Sequence, residues 1–365
     1  MKVILSCGGT GGHIYPAVAI ADRIKKSLPD AEILFIGTKN GMENRIVPAA
    51  GYEIRGIDAS GINRRHPLEN IKTIKNLVQG GHDAAHIIKE FGPDLVIGTG
   101  GYVTGTVLMK AHEAGIRCFI QEQNAVPGVT NRMLEGWAEK IFLSFESSKK
   151  NFRHPEKCVV AGNPIRADFS GLDRSECRKG LCREDETLIL ITGGSLGAKV
   201  LNEAALRLID ESAGKGIKLI FVTGRRYYKE ISEEMAKRPA ELKANVKLVD
   251  YADNMPVLMT AADLVISRAG AIAVSELLAC KKPSVLVPSP NVTNNHQYWN
   301  AKAVADKGAA VLIEEKRITE DMSVLAQEVL ALAASPKRLA DMSAAAAAAA
   351  KTDAADRIFE ELGIE

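Results

Sequence analysis

Short apolar runs alternate along this chain with longer amphipathic or alanine-rich stretches. Each run is followed by a loop and then by a stretch with helical periodicity, which is the β-α-β rhythm of a parallel sheet. The strands predicted in the first part of the chain are 3–6, 33–36, 95–97, 118–120 and 140–143.

The rhythm is interrupted once and then starts again. Residues 161–166 read Ala-Gly-Asn-Pro-Ile-Arg, and glycine and proline there are typical of a connector. We therefore place a hinge near Asn163 and Pro164 and predict two α/β domains, 1–163 and 164–344, each with a doubly wound parallel sheet. The second set of strands is predicted at 188–192, 219–223, 246–249, 264–267 and 284–287.

The C-terminal region is rich in alanine. Residues 344–350 are seven consecutive alanines, and alanine has the highest helix propensity. We predict a helix over 341–357, and we expect the C-terminal helical segment, about 345–365, to pack back on the first domain.

Length and charge narrow the class of protein. The chain has 365 residues, a net charge of +2 and 5% aromatic residues. The length suits two domains. A small net charge and few aromatic residues argue against bulk electrostatic binding of nucleic acid and against base stacking. No nucleic-acid partner is predicted.

The cysteines and the N-terminus bear on the compartment. The six cysteines form no C-x-x-C pair, which is typical of reduced cytosolic thiols. The N-terminus leads directly into a predicted strand and lacks the pattern of a signal peptide. No apolar run reaches the roughly 18 residues of a membrane-spanning helix. We expect a cytoplasmic protein whose membrane contact is peripheral.

Three glycine-rich turns follow predicted strands. They are CGGTGGH at 7–13, TGGYVTG at 99–105 and TGGSLGA at 192–198, and after the first we place a helix at 17–26, beyond Pro16. Glycine lets backbone N–H groups approach a ligand, and a helix start adds unpaired N–H groups and a partial positive charge. Each turn is therefore a candidate phosphate site. At each one, the alternative is a strand-to-helix turn that merely requires glycine.

The turns do not fit the common nucleotide motifs. None matches G-x-G-x-x-G cleanly, and strand 33–36 is followed by Gly37 and Thr38 instead of an acidic residue. No G-K-[ST] sequence of a Walker A loop occurs, and no D-x-D motif indicates a metal-bridged diphosphate. Redox chemistry with NAD and ATP hydrolysis are disfavoured, and no cofactor or metal is predicted.

The second domain offers further candidate ligands. Residues 267–276 read SRAGAIAVSE, where Gly270 and the helix start suit a diphosphate and the Glu276 carboxylate can accept two hydrogen bonds from a ribose diol. His296 and Gln297, after strand 284–287, offer donors and acceptors to sugar hydroxyls. The plainer interpretations are a solvated helix residue and a polar loop with a buried Trp299.

These motifs together resemble the MurG family of glycosyltransferases. The matching segments occur in the family's order, span about residues 3–310 and are highly specific. They are GGTGGH (8–13), GTGGYVTG (98–105), QEQN (121–124), GNPIR (162–166), TGGSLGA (192–198), SRAGAIAVSE (267–276) and HQYWNA (296–301).

The resemblance implies a fold and a reaction. The fold is GT-B, in which two Rossmann-like domains face a cleft. The reaction is inverting transfer of N-acetylglucosamine from UDP-N-acetylglucosamine to the muramoyl 4-hydroxyl of undecaprenyl-diphospho-N-acetylmuramoyl-pentapeptide (lipid I), which gives lipid II for peptidoglycan synthesis. The enzyme would act at the cytoplasmic face of the bacterial plasma membrane, with cell-wall or division proteins as further partners.

The resemblance also implies binding residues. The acceptor diphosphate would be held by Gly9, Gly100, Gly101 and Tyr102. The donor would be contacted by Thr10, Gly11, Gly12, Asn124, Arg166, Ser195, Ala252, Ala271, Ile272, Ala273, Val274, Ser275, Glu276, His296 and Gln297.

Two residues are candidates for the catalytic base. His13 is the first, because an imidazole titrates near neutral pH and could take the proton of the acceptor hydroxyl; its alternative is a purely acceptor-binding role. Glu122 is the second. The helix starts at Ser195 and Gly270, with Arg268, could spread the charge of the leaving UDP without metal.

The chain departs from the family pattern at a few positions. Ala273 replaces an expected threonine, Asn294 and Asn295 stand where a charged residue is common, and the alanine run at 344–350 replaces a mixed helix. These departures affect fine donor contacts and not the predicted reaction.

Residues 64–78 are a candidate membrane-facing segment. Arg64 and Arg65 precede apolar residues at helical spacing with lysines between them, which suits an interfacial helix. An ordinary amphipathic surface helix is the alternative.

Three other functions stay open on the sequence. Another GT-B glycosyltransferase would share the donor motifs. A UDP-N-acetylglucosamine epimerase would need carboxylates beside the sugar, where the 121–124 segment offers Glu122. A non-catalytic nucleotide-sugar-binding protein would bind without turnover.

Overall fold

The structure is a computed structural model that describes residues 1–59, 70–169, 171–194 and 196–364, and of 70–77 the backbone alone. The chain divides into two compact units. One comprises Met1–Arg166 together with Thr352–Glu365, and the other comprises Ala167–Lys351.

The first unit is built on a seven-stranded parallel sheet with strand order β3-β2-β1-β4-β5-β6-β7. Its strands are β1 Lys2–Cys7, β2 Glu32–Thr38, β3 Glu53–Ile57, β4 Leu95–Gly100, β5 Arg117–Glu122, β6 Lys140–Leu143 and β7 Cys158–Val160. Its first helices are α1 Gly11–Ser27, α2 Glu43–Ala49, α3 Asn70–Phe91, α4 Tyr102–Glu113 and α5 Val129–Leu134.

The second unit is built on a six-stranded parallel sheet with strand order β10-β9-β8-β11-β12-β13. Its strands are β8 Thr187–Thr192, β9 Ile217–Val222, β10 Val246–Val249, β11 Leu264–Ser267, β12 Ser284–Leu286 and β13 Ala310–Leu312. Its helices are α6 Arg174–Arg178, α7 Lys199–Glu211, α8 Tyr228–Ala236, α9 Ala240–Ala244, α10 Met255–Ala261, α11 Ala271–Ala279, α12 His296–Ala305, α13 Glu315–Glu320, α14 Ser323–Ala333 and α15 Pro336–Ala349.

Each sheet is covered on both faces, which confirms the predicted doubly wound α/β architecture. Phe35 and Phe119 lie in one apolar layer of the first unit and Ile36 and Ile120 in another, since successive side chains of a strand point to opposite faces. In each sheet the strand order reverses once, between β1 and β4 and between β8 and β11. Ligands of open α/β sheets bind at the carboxyl ends of such strands.

Three strands escaped prediction from the sequence. β3 has mostly half-buried residues, and β7 and β13 have three residues each. β3 has no continuous apolar run, whereas the apolar runs at 158–161 and 309–313 are as long as those predicted to be strands and were missed. All three lie at or next to a sheet edge, where less of the strand is covered.

The first helix was predicted too short. It starts at Gly11 and runs through Pro16, which lies inside it. Pro16 lacks the N–H that would bond to the carbonyl of Gly12, and the helix tolerates that one loss. The glycine-rich turn is therefore partly the helix itself.

The predicted helix over 341–357 is wrong as a continuous element. α15 ends at Ala349, Ala350 has extended backbone, and a separate helix, α16 Ala354–Leu362, follows. Ile358 and Leu362 of α16 are fully buried in the core of the first unit. Burial of this apolar face outweighs the propensity of the alanine run to continue as one helix.

Polar contacts hold α16 on the first unit. Arg23 of α1 forms an ion pair with Asp356, and its guanidinium lies 4.3 Å from the ring centroid of Phe359. Lys140 pairs with Glu361 at 2.7 Å. The C-terminal segment is thus part of the first unit although it follows the second in sequence.

The candidate membrane-facing segment, 64–78, lies largely outside the residues that the structure describes. Residues 64–69 are not among the described residues, and the side chains of 70–77 are not either. The helix α3 begins at Asn70. Among the described helices, none combines the length and the apolar character that crossing a membrane requires.

A buried lysine makes the stability of the second unit depend on pH. Lys282 donates to the carbonyls of Thr260 and Ala262, at 2.6 and 3.0 Å, at the C-terminal end of α10. Burial, followed by the charge of Arg174, lowers its pKa to about 8 from 10.5. Between these values the unfolded chain holds a proton that the folded chain lacks, so the free energy of unfolding rises with pH.

We expect Lys282→Met to remove this rise. The free energy of unfolding is measured with urea at pH 7.5 and at pH 10. Between these pH values that of the native chain should increase by up to about 3 kcal/mol more than that of the variant, since one pKa unit corresponds to about 1.4 kcal/mol. Lys243→Met, at an exposed position, is the control. A constant difference between native chain and Lys282→Met at both pH values would contradict the prediction.

Candidate functional site

The turn between β1 and α1 offers unpaired backbone donors. Gly9 has φ +87°, and the carbonyl of Thr10 accepts from the N–H groups of His13 and Ile14. Within the described part of the chain, the N–H groups of Thr10, Gly11 and Gly12 have no hydrogen-bond partner. A helix start with free N–H groups is a site for an anion.

His13 lies at the same helix start with one ring nitrogen engaged. Its Nδ1 lies 2.9 Å from the carbonyl oxygen of Gly8. A carbonyl can only accept, so Nδ1 carries the proton of the neutral ring and Nε2 keeps its lone pair. The half-buried imidazole therefore presents a basic nitrogen away from the turn.

The turn after β4 packs directly against the first. Gly100 and Gly101 have φ of +122° and +91°. A Cβ on Gly101 would lie 2.6 Å from the oxygen of Gly8, and one on Gly100 would lie 2.8 Å from Cδ2 of His13. Glycine is required at both positions because the backbone is left-handed and the neighbouring turn occupies the space of a side chain. Tyr102, the first residue of α4, is exposed.

Two threonines fix this contact from below. Thr99 donates to the carbonyl of His13 at 2.8 Å, and its own carbonyl accepts from the Gln123 side chain at 2.6 Å. The hydroxyl of Thr104 lies 3.0 Å from the oxygen of Ser6. These buried bonds tie β4, α4 and β5 to the helix that carries His13.

Glu122 is buried and fully bonded. One carboxylate oxygen accepts from the backbone and side-chain N–H groups of Asn124, at 2.9 and 3.1 Å. The other accepts from the N–H of Gly128 at 2.9 Å and from the side chain of Asn131 at 2.8 Å. At 1% exposure, this carboxylate shapes the 122–131 loop, and its lone pairs point at donors of the chain instead of at a ligand.

The 121–124 segment is also tied to the connector. The side chain of Gln121 donates to Asn163 at 3.0 Å, and Asn163 in turn donates to the carbonyl of Gln123 at 3.2 Å. Asn163 is almost fully buried. Arg166, just beyond it, lies with its guanidinium 5.7 Å from the ring centroid of Tyr15 on α1. Asn124, Arg166 and the first turn thus all belong to the carboxyl edge of one sheet.

One residue of this edge was missed by the sequence analysis. Glu43, the first residue of α2, is fully buried, and its carboxylate accepts from the N–H and the hydroxyl of Thr38 at 2.9 and 2.6 Å. Its other oxygen faces the N–H of Gly9 at 3.4 Å. Gly37 and Gly41 leave room for it, since a Cβ on either would lie within 3 Å of the Glu43 side chain. Two glycines that follow a strand and precede an acidic residue are the sequence pattern that could have revealed it.

In the second unit, the turn after β8 packs against the turn after β9. Gly197 has φ +76°, and a Cβ there would lie 2.1 Å from the oxygen of Thr223. Gly224 packs on Gly197 in the same way. Ser195, the predicted donor contact of this turn, lies outside the described residues.

The segment after β11 starts a helix, as its pattern predicts. Gly270 is the N-terminal cap of α11, so the predicted donor residues 271–276 form the first two turns. Ser275 turns its hydroxyl back to the carbonyl of Ala271 at 3.1 Å. Glu276 is half-buried.

Arg268 has a different partner from the one its sequence context suggested. It forms an ion pair with Glu315 of α13 and donates to the carbonyl of Val287 at 3.0 Å. Both side chains of the pair are largely buried. We therefore do not assign Arg268 to the leaving diphosphate.

The segment after β12 brings two more predicted residues to the same edge. Gln297 accepts from the N–H of Ser289 at 2.9 Å, and Nδ1 of His296 lies 2.9 Å from the oxygen of Thr293. Asn294 and Asn295 both have positive φ, a conformation that asparagine tolerates better than most residues. Trp299 is 43% exposed, so the interpretation of a buried tryptophan is wrong.

The remaining predicted contact lies at the end of β10. Ala252 is half-buried in the loop that leads to α10. Next to it, the ring of Tyr251 lies 4.5 Å from the Arg225 guanidinium. The described donor candidates of the second unit therefore all follow the carboxyl ends of β10, β11 and β12.

Comparison with known proteins agrees with this arrangement. The profile of the glycosyltransferase family 28 N-terminal domain matches residues 3–143, and that of the C-terminal domain of the same family matches residues 188–358. Together they span every described strand except β7, and the glycine-rich turns of both units.

Relatives match over the whole chain. The UDP-N-acetylglucosamine--N-acetylmuramyl-(pentapeptide) pyrophosphoryl-undecaprenol N-acetylglucosamine transferase of Alkaliphilus oremlandii is 43% identical over 99% of this chain and 98% of its own. The protein of the same name from Acetivibrio thermocellus is 44% identical over 99% and 97%.

Solved structures agree in fold. The MurG of Acinetobacter baumannii superposes with a TM-score of 0.79 at 28% identity and covers 99% of both chains. A UDP-GlcNAc 2-epimerase from Neisseria meningitidis has a TM-score of 0.69 at 16% identity over 99% of both chains, which shows a shared fold alone. This chain belongs to glycosyltransferase family 28 and, within it, to the MurG family.

Proposed function

We propose that this chain transfers N-acetylglucosamine from UDP-N-acetylglucosamine to the muramoyl 4-hydroxyl of lipid I, with inversion, to give lipid II. Full-length relatives at 43% and 44% identity carry names that state this transfer. The observation that carries the mechanism is the bond from His13 Nδ1 to Gly8, which leaves Nε2 available as a base beside a turn with unpaired N–H groups.

The first unit is proposed to hold the acceptor. The turns that contain Gly9, Gly100, Gly101 and Tyr102 would hold the acceptor diphosphate. The N–H of Gly9 faces Glu43 and that of Gly100 lies 3.3 Å from the Thr104 hydroxyl, so the donors would be the N–H groups at the starts of α1 and α4. Lipid I carries its diphosphate next to the sugar that reacts, so a diphosphate at these turns brings the muramoyl hydroxyl near His13. The enzyme would then work at the cytoplasmic surface of the membrane, as a peripheral protein.

The second unit is proposed to hold the donor. The start of α11 would bind the UDP diphosphate, Glu276 the ribose hydroxyls, the backbone near Ala252 the uracil, and His296 and Gln297 the sugar. The proposed donor contacts are completed by Ser195, Thr10, Gly11, Gly12, Asn124 and Arg166.

The proposed chemistry is one displacement. His13 Nε2 takes the proton of the acceptor hydroxyl as its oxygen forms a bond to the anomeric carbon of N-acetylglucosamine. The bond from that carbon to the β-phosphate oxygen breaks, and UDP leaves with the electron pair. Helix starts stabilise the charge on UDP because their N–H groups are already oriented. Attack opposite the leaving group converts the α-linked donor into a β-linked product.

The structure disfavours an epimerase. That reaction needs carboxylates at the sugar, and the carboxylate the sequence offered, Glu122, has both oxygens bonded to four donors of its own loop. Fold likeness to an epimerase at 16% identity does not bear on activity.

We expect His13→Ala to lower kcat by about 10²- to 10⁴-fold, the usual contribution of a general base. The assay follows labelled N-acetylglucosamine from its UDP donor onto a short-chain lipid I analogue, with EDTA present. Donor binding, measured by titration calorimetry, should be unchanged. If the variant turns over at the full rate, His13 is not the base and has at most an acceptor-binding role. If the native chain transfers no sugar to the analogue, the proposed acceptor is wrong.

We expect Glu276→Gln to lower kcat/KM for UDP-N-acetylglucosamine by about 10- to 100-fold, since a hydrogen bond to a charged group contributes about 1.5–3 kcal/mol. The 2′-deoxyribose donor separates the causes: the native chain should lose activity on it and the variant should lose little more. Glu328→Gln is the matched control, since Glu328 is also half-buried on a helix of the second unit, where it pairs with Arg338. If both proteins lose the same fraction of their activity on the deoxy donor, Glu276 does not bind the ribose hydroxyl.

We expect Glu122→Gln to destabilise the fold while keeping the pH dependence of turnover. An amide N–H₂ would face a donor of the 124–131 loop, at a cost of about 2 kcal/mol in the free energy of unfolding. Thermal unfolding and the acid limb of kcat/KM against pH are the two measurements. Loss of the acid limb with unchanged stability would make Glu122 the base instead of His13.

A further inference from the structure

A buried carboxylate lies behind His13 on the side away from the substrate. Nδ1 of His13 bonds to the oxygen of Gly8, and the N–H of Gly9 points to Oε2 of Glu43. The oxygen of Gly8 and the N–H of Gly9 belong to one peptide group. The imidazole and the carboxylate are therefore joined through a single peptide unit.

We infer that Glu43 is a positioning residue for the catalytic base, acting on His13 through the peptide between Gly8 and Gly9. This inference rests on the proposed role of His13. The carboxylate polarises the peptide, which raises the negative charge on the Gly8 oxygen and strengthens its bond to Nδ1–H. It therefore fixes the tautomer that leaves Nε2 basic and stabilises the imidazolium that forms when Nε2 takes a proton.

The geometry favours an ionised Glu43. Oε1 accepts from both donors of Thr38 and Oε2 faces Gly9, so every polar contact of the group is with a donor. Among the described residues, no cation pairs with it within 4 Å. A buried carboxylate is costly unless hydrogen-bonded, and this one is satisfied by strand β2 on one side and the catalytic turn on the other.

The distance from Gly9 N to Oε2, 3.4 Å, is longer than the 2.9–3.0 Å usual for such bonds. The Oε1 oxygen nevertheless sits close under the turn, 3.1 Å from where a Cβ of Gly8 would lie. Interaction with the peptide dipole persists at this distance because water is excluded from the buried carboxylate.

The space around Glu43 is shaped for it. A Cβ on Gly41 would lie 2.2 Å from the carboxylate, and one on Gly37 would lie 2.6 Å from its Cγ. Glycine at positions 37 and 41 thus leaves the space in which the carboxylate of Glu43 lies below the turn. A carboxylate that only capped α2 would have no reason to contact the turn between β1 and α1.

Other titratable groups near the relay belong to the elements around it. Burial, and then the charge of Glu43, raises the pKa of the Cys7 thiol at the end of β1. Titratable side chains on the neighbouring elements include Tyr15 of α1, with Arg166 at its ring, Tyr102 of α4 and Glu122 of β5.

Glu43→Gln tests the inference in the free enzyme. Ring 15N spectra of His13, assigned with His13→Gln, should show the Nδ1–H tautomer dominant in the native chain. The variant should show a mixed tautomer population. An unchanged tautomer would overturn the inference.

Turnover gives the second readout. Glu43→Gln should lower kcat by about 10- to 100-fold with the KM for UDP-N-acetylglucosamine unchanged, and Glu43→Asp should recover part of kcat because it keeps the charge. Glu135→Gln is the matched control, since Glu135 is also buried and bonds a backbone N–H, that of Arg153 at 2.6 Å, outside the glycine-rich turns. Equal losses of kcat in both Gln variants would reduce Glu43 to a structural role.

The two proposals fail differently. If His13→Ala keeps full turnover while the spectra of Glu43→Gln change as expected, the relay exists and the base assignment is wrong. If His13→Ala abolishes turnover while Glu43→Gln leaves the tautomer and kcat unchanged, His13 is the base without help from Glu43.

Discussion

The contact between the two glycine-rich turns of the first unit is the constraint on which its site depends. β1 and β4 are neighbours at the point where the strand order reverses, so the turns that follow them must pass each other. They pass so closely that a Cβ on Gly101 would lie 2.6 Å from the Gly8 oxygen. That closeness sets two helix starts side by side, and it places His13 at their junction.

Because the two turns are in contact, the hydrogen bonds below them determine the orientation of His13. An imidazole that bonds a backbone carbonyl has its tautomer set by that carbonyl, and the carbonyl is set by the turn. Thr99 and Thr104 hold the turn from β4 and α4, while Glu43 faces it from α2. The polar groups below the site are buried and paired, which confers rigidity where unpaired groups would be costly. The N–H groups left unpaired are those that face a ligand.

The second unit has the same arrangement of closely packed turns at the carboxyl ends of its strands. Its strand order also reverses once, between β8 and β11, and its turns also need glycine where backbones meet, at Gly197 and Gly224. A histidine there also has Nδ1 at a backbone carbonyl, His296 at that of Thr293, and the other candidates are helix starts, a carboxylate at Glu276 and amide groups. That set is the one we propose for the nucleotide sugar, whereas the first unit holds the proposed base.

The sequence alone determined the class of fold, the turns and the family. Buried parallel strands are short apolar runs, and turns with left-handed backbone require glycine, so both leave a local pattern that can be recognised. Edge strands such as β3, which are only half-covered, leave a weaker pattern and were missed. The helix break at Ala350 left none, because alanine carries no side chain that distinguishes one docking partner from another.

The tertiary structure decided which polar residues do what. Glu122 and Glu43 are both acidic residues near the end of a strand. The fold surrounds the first with four donors from its own loop and turns the second under the peptide that His13 bonds. Arg268, beside a predicted diphosphate site, is directed instead to Glu315. Hydrogen bonds between residues far apart in sequence depend on which strands become neighbours, and that is settled only when the sheet forms.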